Sequence, residues 1–127
     1  MNWLKKTFGK STSAETRKER NIRFLGEQDG QIEKEIKARW QPILATFPDV
    51  LRAYLAIASF GQSQDYQVVL CIMSKTFDNP VLVDSLAQPF REMFNATTPL
   101  DIMFLNAANE VDVKKVCRAF YEITETA

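Results

Sequence analysis

Two neighbouring segments of this chain are apolar at nearly every position, and they constrain the fold more than any other feature. Val50–Phe60 reads VLRAYLAIASF, and residues 66–74 read YQVVLCIMS. A polar loop with one glycine, GQSQD, separates them. Apolar runs rich in β-branched and aromatic residues, joined by such a loop, are typical of a β-hairpin. A strand covered on one face alternates apolar and polar residues, so the missing alternation predicts a sheet buried on both faces.

The segments that flank the hairpin have helical spacing. Residues 31–47 are predicted to form a helix that Pro42 kinks or splits. A second helix is predicted after the hairpin, with Asn79 as its N-cap and Pro80 at the first helical position. Pro89 lies inside that second helix and is expected to kink or restart it. The apolar positions of the two helices are Ile32, Ile36, Trp40, Ile43, Leu44 and Phe47, then Val83, Leu86, Ala87, Phe90 and Phe94.

Residues 100–105 (LDIMFL) predict a third, short strand, and Asn109 with Asp112 predicts the start of a last helix. The apolar stripe of that helix is Val113, Val116, Cys117 and Phe120. The order α-β-β-α-β-α predicts an α+β fold, a small mixed three-stranded sheet packed with helices. The last two strands and the helix between them should form a right-handed crossover. Either the kinked helices wrap both faces, or the N-terminal segment, a second copy or a partner protein covers part of the sheet.

Charge is distributed unevenly along the 127 residues, although 16 basic residues balance 16 acidic ones. Residues 1–20 hold six basic and two acidic residues, whereas residues 41–127 hold six basic and ten acidic. This gradient predicts a basic, partly flexible N-terminal arm over residues 1–28 and a single α+β domain over residues 31–127. Overall neutrality and the acidic body argue against a nucleic-acid-binding protein.

Several classes of site are excluded by composition. The chain has no histidine, which removes histidine-dependent nucleophiles, bases and metal sites. Its two cysteines cannot form a four-thiolate zinc site. Cys71 and Cys117 each lie in an apolar pattern, which predicts reduced, buried side chains and a reducing compartment. The sequence contains no GxGxxG, P-loop or GxSxG motif, so we expect no cofactor, metal or catalytic site.

Carboxylates are the remaining candidates for chemistry. Asp49, Asp65 and Asp78 are predicted on turns, and Asp101 lies inside the third apolar strand. We expect Asp101 on an edge strand or facing solvent, where a charge blocks sheet aggregation. A small-ligand-binding protein or an enzyme with a carboxylate-based site is therefore the alternative to a non-catalytic protein.

The candidates for interaction lie at the two ends of the chain and on the sheet. The first ten residues interleave aromatic and basic side chains, which suits a self-docked or mobile arm, a partner groove, or weak contact with an anionic membrane surface. No run of about 20 apolar residues is present, and two lysines interrupt any secretory leader. The interaction candidates are Trp3, Lys5, Lys6, Phe8, Tyr54, Arg118 and Tyr121.

Four motifs resemble one family in order and spacing. FPDVLRAYLA at residues 47–56 is similar to a P-x-V-x-x-A-Y-L motif, followed by the apolar strand at 68–73 and L-D-I-x-F-L at 100–105. The fourth motif is Arg118-Ala119-Phe120-Tyr121, in which Ala119 occupies the position where the family described below usually has a proline. These motifs, over residues 40–123, resemble the C-terminal domain of the bacterial enhanced serine sensitivity protein (SseB) family.

The resemblance implies a bacterial cytoplasmic protein without an established catalytic mechanism. Members of that family usually carry an additional N-terminal domain, which residues 1–30 are too short to form, so the resemblance implies a stand-alone copy with a basic arm. Taken with the composition, we expect a non-catalytic protein-interaction or regulatory module without a cofactor. Its partner is expected to be another protein or a second copy of the chain.

Overall fold

The computed structural model describes residues 15–17, 22–60, 66–76, 79–94 and 100–123. Within these residues the predicted α+β class is confirmed, and the predicted three-stranded sheet is wrong because three further short strands join it. The predicted element order is found from α1 to α3, with strands added before and after it. The elements are β1 (Glu15–Arg17), β2 (Ile22–Glu27), α1 (Gln31–Ala45), β3 (Val50–Phe60), β4 (Gln67–Ser74), α2 (Pro80–Met93), β5 (Asp101–Phe104), α3 (Ala107–Lys114) and β6 (Ala119–Glu122).

The sheet is mixed, with the strand order β1-β5-β4-β3-β2. β3 and β4 form the predicted antiparallel hairpin, in which Ala53 lies opposite Ile72. β5 runs parallel to β4, with Leu70 opposite Ile102, as expected for two strands joined through a helix. β1 pairs in parallel with β5 on its other side, so that β5 lies inside the sheet.

Two short strands share the remaining edge of β3. β2 pairs with residues 56–60 of β3, and β6 pairs with residues 52–54. Between these two regions the carbonyl of Leu55 accepts a hydrogen bond of 3.0 Å from the backbone N–H of Gln28. β2 and β6 therefore lie end to end along β3. Arg118, just before β6, donates a hydrogen bond to Glu27 at the end of β2, although the two residues are 91 positions apart in the chain.

Helices α1 and α2 cover one face of the sheet. Trp40 of α1 is fully buried, and its indole Nε1–H donates a hydrogen bond of 2.9 Å to the carbonyl of Leu86 in α2. The Trp40 ring also stacks on Phe90 at a centroid distance of 6.5 Å. Pro42 and Pro89 lie inside helices that continue past them. This first core holds the apolar residues of α1 and α2 together with one face of β3, β4 and β5.

The opposite face of the sheet forms a second core beneath α3. It includes Tyr54, Val69 and Met103 from three strands, and Val113 and Cys117 from α3 and the turn after it. The prediction that both faces are buried is therefore confirmed. Both cysteines are free and buried within this core, as predicted. None of the helices among the described residues is long and apolar enough to cross a membrane.

The last helix differs from its prediction at both ends. It is capped by Asn106, whose side-chain oxygen accepts from the N–H of Asn109 at 2.7 Å, so Asn109 lies inside the helix. The helix ends at Lys114, Val116 is 39% exposed, and Phe120 belongs to β6. The apolar residues after the helix match either a helical stripe or a strand, and pairing with the open edge of β3 selects the strand.

The predicted boundary at residue 28 is wrong, because β2 already belongs to the sheet. β2 has no regular alternation, since its register shifts between Phe24 and Gly26 where a bulge inserts Leu25. Because of this bulge, β2 lacks the two-residue alternation of apolar and polar side chains by which a strand is recognised in a sequence. The rest of the predicted arm, residues 1–14 and 18–21, lies outside the described residues.

Candidate functional site

A largely buried ionic contact lies between the sheet and α3. The guanidinium of Arg52 donates from Nε and Nη2 to the two carboxylate oxygens of Glu110, and the Nη2–Oε1 distance is 2.9 Å. The Tyr54 hydroxyl donates a third hydrogen bond to Oε2 at 2.7 Å. Arg52 and Tyr54 are two residues apart on β3 and therefore face the same side. Glu110 lies one helical turn before the buried Val113, on the face of α3 that meets the sheet.

Electrostatics keep this cluster charged. The hydrogen bond from Arg52 lowers the pKa of Glu110 and outweighs the opposing effect of burial. Burial and the neighbouring Glu110 carboxylate raise the pKa of Tyr54, so its hydroxyl keeps its proton. The same carboxylate raises the pKa of Arg52. A general base needs a pKa near the working pH and a free lone pair directed at its substrate. Both oxygens of Glu110 instead accept bonds from its own chain, so the arrangement ties α3 to β3.

A second ionic cluster lies where β2 ends and β6 begins. Arg118 donates three hydrogen bonds to Glu27, from its backbone N–H and Nε at 3.0 Å to Oε1 and from Nη2 at 2.9 Å to Oε2. These bonds lower the pKa of Glu27 to about 2. Lys37 of α1 binds Asp29 at 2.8 Å, and its ammonium lies 5.8 Å from the centre of the Phe120 ring. The cluster therefore joins the end of β2, the start of β6 and the N-terminal half of α1.

The structure changes the predicted roles of four candidate residues. Tyr54 is buried beneath α3 with 1% of its surface exposed, so the prediction that it lies on an available apolar face is wrong. Arg118 is exposed and is bound to Glu27. Tyr121 is partly buried against the first core. Asp101 is buried, because β1 pairs with the outer side of β5, and the expectation of an edge or solvent-facing position is wrong.

The remaining predicted residues are either peripheral or outside the described chain. Asp49 accepts backbone and side-chain hydrogen bonds through its carbonyl at the end of the hairpin. The candidates that lie outside the described residues are Trp3, Lys5, Lys6, Phe8, Asp65 and Asp78. Within the described part of the chain, no group of three or more cysteine or acidic side chains could hold a metal ion.

Sequence reasoning missed Glu110 and Glu27, the two carboxylates at the centres of these clusters. One indication was present, because Arg52 is the only charged residue in an eleven-residue apolar strand. A partly buried cation in an apolar strand needs an anionic partner, but nothing in the sequence identifies that partner 58 residues away. Comparison of the whole chain with protein families, curated proteins and solved structures found no match.

Proposed function

We propose that this protein is a non-catalytic protein-interaction or regulatory module of the bacterial cytoplasm, and that its partner is a second copy of the chain bound along β2. The observation that carries the proposal is the open edge of β2. β2 ends the strand order of the described sheet, and its outer side has no partner strand among the described residues. The open backbone edge of a strand is the surface to which another chain adds by hydrogen bonding.

The exposed side chain of Leu25 can meet its own copy in an antiparallel arrangement of two β2 strands. A twofold axis through Leu25 places this exposed side chain opposite its own copy. Leu25 is 39% exposed and Arg23 is exposed. Such an isologous contact needs one surface that complements itself.

The absence of a catalytic role is supported by the way the buried acids are used. Glu110 binds Arg52 and Tyr54 with both of its oxygens and stays ionised. Glu110 therefore has no free oxygen with which to act as a base, and no proton with which to act as an acid. The alternative of a carboxylate-based site therefore gains no support from this cluster.

The relation to the enhanced serine sensitivity protein family is likewise a proposal. Its support is the order of the motifs at residues 47–56, 68–73, 100–105 and 118–121. The family supplies no catalytic residues, which agrees with an interaction module.

Light scattering coupled to size-exclusion chromatography tests the proposed dimer. At high concentration, the mass measured for the full chain should be twice 14.6 kDa, the mass of a dimer. Leu25→Lys places two like charges on the twofold axis and should give the monomer mass. Val81→Lys is the matched control, because Val81 is 65% exposed on α2 and that variant should still dimerise. A wild-type chain that stays monomeric at every concentration would refute the proposal.

A further inference from the structure

Gly26 lies inside the edge strand β2, where a glycine weakens the strand and offers no side chain for packing. Its backbone does not require glycine, because its φ angle lies outside the left-handed region. Space does not require glycine either. Among the described residues, the one atom within 4 Å of a Cβ built at this position is Cγ2 of Ile57, at an ordinary contact distance of 4.0 Å. Nothing in the described chain therefore explains why this residue has no side chain.

The missing side chain leaves a recess beside Ile57. Gly26 lies opposite Ile57 in the pairing of β2 with β3, and residues directly opposite each other share one face of the sheet. That face is the one covered by α1 and α2, since Leu55, two residues earlier on β3, belongs to the first core. Leu55 is fully buried, whereas Ile57 is only half-buried. We call Gly26 and Ile57 the β2 notch, an apolar recess at the edge of the sheet.

The proposed dimer brings Leu25 of the second copy next to this notch. When two β2 strands pair antiparallel about Leu25, the Leu25 of the second copy lies beside its own copy, with Phe24 on one side and Gly26 on the other. Phe24 is 7% exposed and belongs to the second core, so its side chain occupies the opposite face of the sheet. Gly26 is therefore the neighbour that leaves space for the incoming side chain. Leu25 is 39% exposed in the single chain and has apolar surface left to bury there.

We propose that the β2 notch receives the Leu25 side chain of the second copy, so that Gly26 determines which strand can pair with β2. The inference rests on the proposed dimer and adds a specificity-determining residue to it. Twofold symmetry forms the contact twice, because each copy contributes one Leu25 and one notch. The contact accounts for the glycine, since the incoming side chain needs the volume that a larger residue would fill. A strand without an apolar side chain at the matching position leaves the notch empty and binds more weakly.

Filling the notch tests the proposal. In Gly26→Val the added Cβ has room beside Ile57 in the single chain, but the side chain occupies the volume that Leu25 needs in both halves of the dimer. Overpacking at two equivalent positions should weaken the dimer by roughly 100-fold or more in sedimentation equilibrium of the full chain. The single chain should be at least as resistant to urea as the wild type at a concentration where both are monomeric, because valine favours a strand. Gly26→Ala adds the Cβ alone, should weaken the dimer by about tenfold, and keeps the proposal testable if valine prevents folding.

A paired substitution tests the contact itself. Leu25→Ala removes most of the side chain that enters the notch and should weaken the dimer by roughly tenfold. In Leu25→Ala/Gly26→Val a filled notch meets a shortened side chain, so this double variant should dimerise more tightly than Gly26→Val alone. If the losses of the two single variants simply multiply in the double variant, the two positions do not touch across the dimer and the proposal is overturned.

The matched control is Ala38→Leu, which adds as many carbon atoms as Gly26→Val at an exposed position of α1. It should dimerise within about twofold of the wild type. Failure of this inference and failure of the dimer give different results. A wild-type chain that is monomeric at every concentration refutes the dimer and the role of Gly26 together. A wild-type dimer that Gly26→Val forms equally tightly leaves the dimer standing and overturns the role of Gly26.

Discussion

Replacing Glu110 by glutamine removes the carboxylate that links α3 to the sheet and keeps nearly the same shape. Arg52 then loses its counter-charge, and the amide cannot accept the two guanidinium bonds and the Tyr54 bond as a carboxylate does. Removing one partner of a fully buried ion pair costs about 3–5 kcal/mol. The Arg52 side chain is 24% exposed, so water partly replaces the lost contact. We therefore expect Glu110→Gln to lower the free energy of unfolding by about 2–3 kcal/mol at neutral pH.

The same substitution has a defined pH dependence. The pKa of Glu110 is lowered in the folded protein from the ordinary value of 4.5. A carboxylate with a lowered folded pKa stabilises the protein above its unfolded pKa, and that contribution is lost as pH falls towards the folded pKa. The stability difference between wild type and Glu110→Gln should therefore be constant above about pH 5 and shrink in more acidic solution.

Urea denaturation followed by tryptophan fluorescence measures this difference, because Trp40 is buried in the first core. The matched control is Glu35→Gln, since Glu35 is 59% exposed and lies 3.8 Å from Arg39. The control should change stability by less than about 0.5 kcal/mol. The reasoning is refuted if Glu110→Gln is as stable as that control, or if its deficit persists undiminished in acid.

Two further predictions concern α3 and the second core. Asn106→Ala should destabilise the protein by about 1 kcal/mol, because the N-cap hydrogen bond from the Asn109 N–H is lost. Asn109→Ala keeps that bond and should lower the free energy of unfolding much less. Equal losses of stability in urea denaturation would contradict the assignment of Asn106 as the cap. Burial raises the pKa of Cys117 to about 12 and also raises the pKa of Cys71, so neither thiol should react with a disulfide reagent in the native protein, and both should react after unfolding. Rapid native labelling of either thiol would show that the second core is open.

The central elements could be predicted because their sequence periods are strong. Val50–Phe60 is found as the predicted strand, and Asn79 caps α2 with its side chain accepting from Leu82 N–H at 3.2 Å, followed by Pro80. In each case a local feature is sufficient, since unbroken apolarity or cap chemistry acts over a few residues. The same apolar pattern also predicted correctly that the sheet is buried on both faces.

The sheet edges could not be predicted, because short strands depend on the neighbour they pair with. β2 and β6 have six and four residues, and β6 has the burial pattern of neither a strand nor a helix. Their assignment follows from the two unpaired halves of the outer edge of β3. Asp101 was misplaced for the same reason, since only the pairing with β1 makes β5 an interior strand.

The sequence by itself determined the hairpin, the two long helices, the buried cysteines and the exclusion of histidine chemistry. Those properties depend on composition or on contacts within a few residues of the chain. Tertiary structure alone decided which charges meet: Arg52 with Glu110 across 58 residues, and Glu27 with Arg118 across 91. Two charged groups pair when folding brings them within a few ångströms of each other. Their separation along the chain does not indicate which charges will meet.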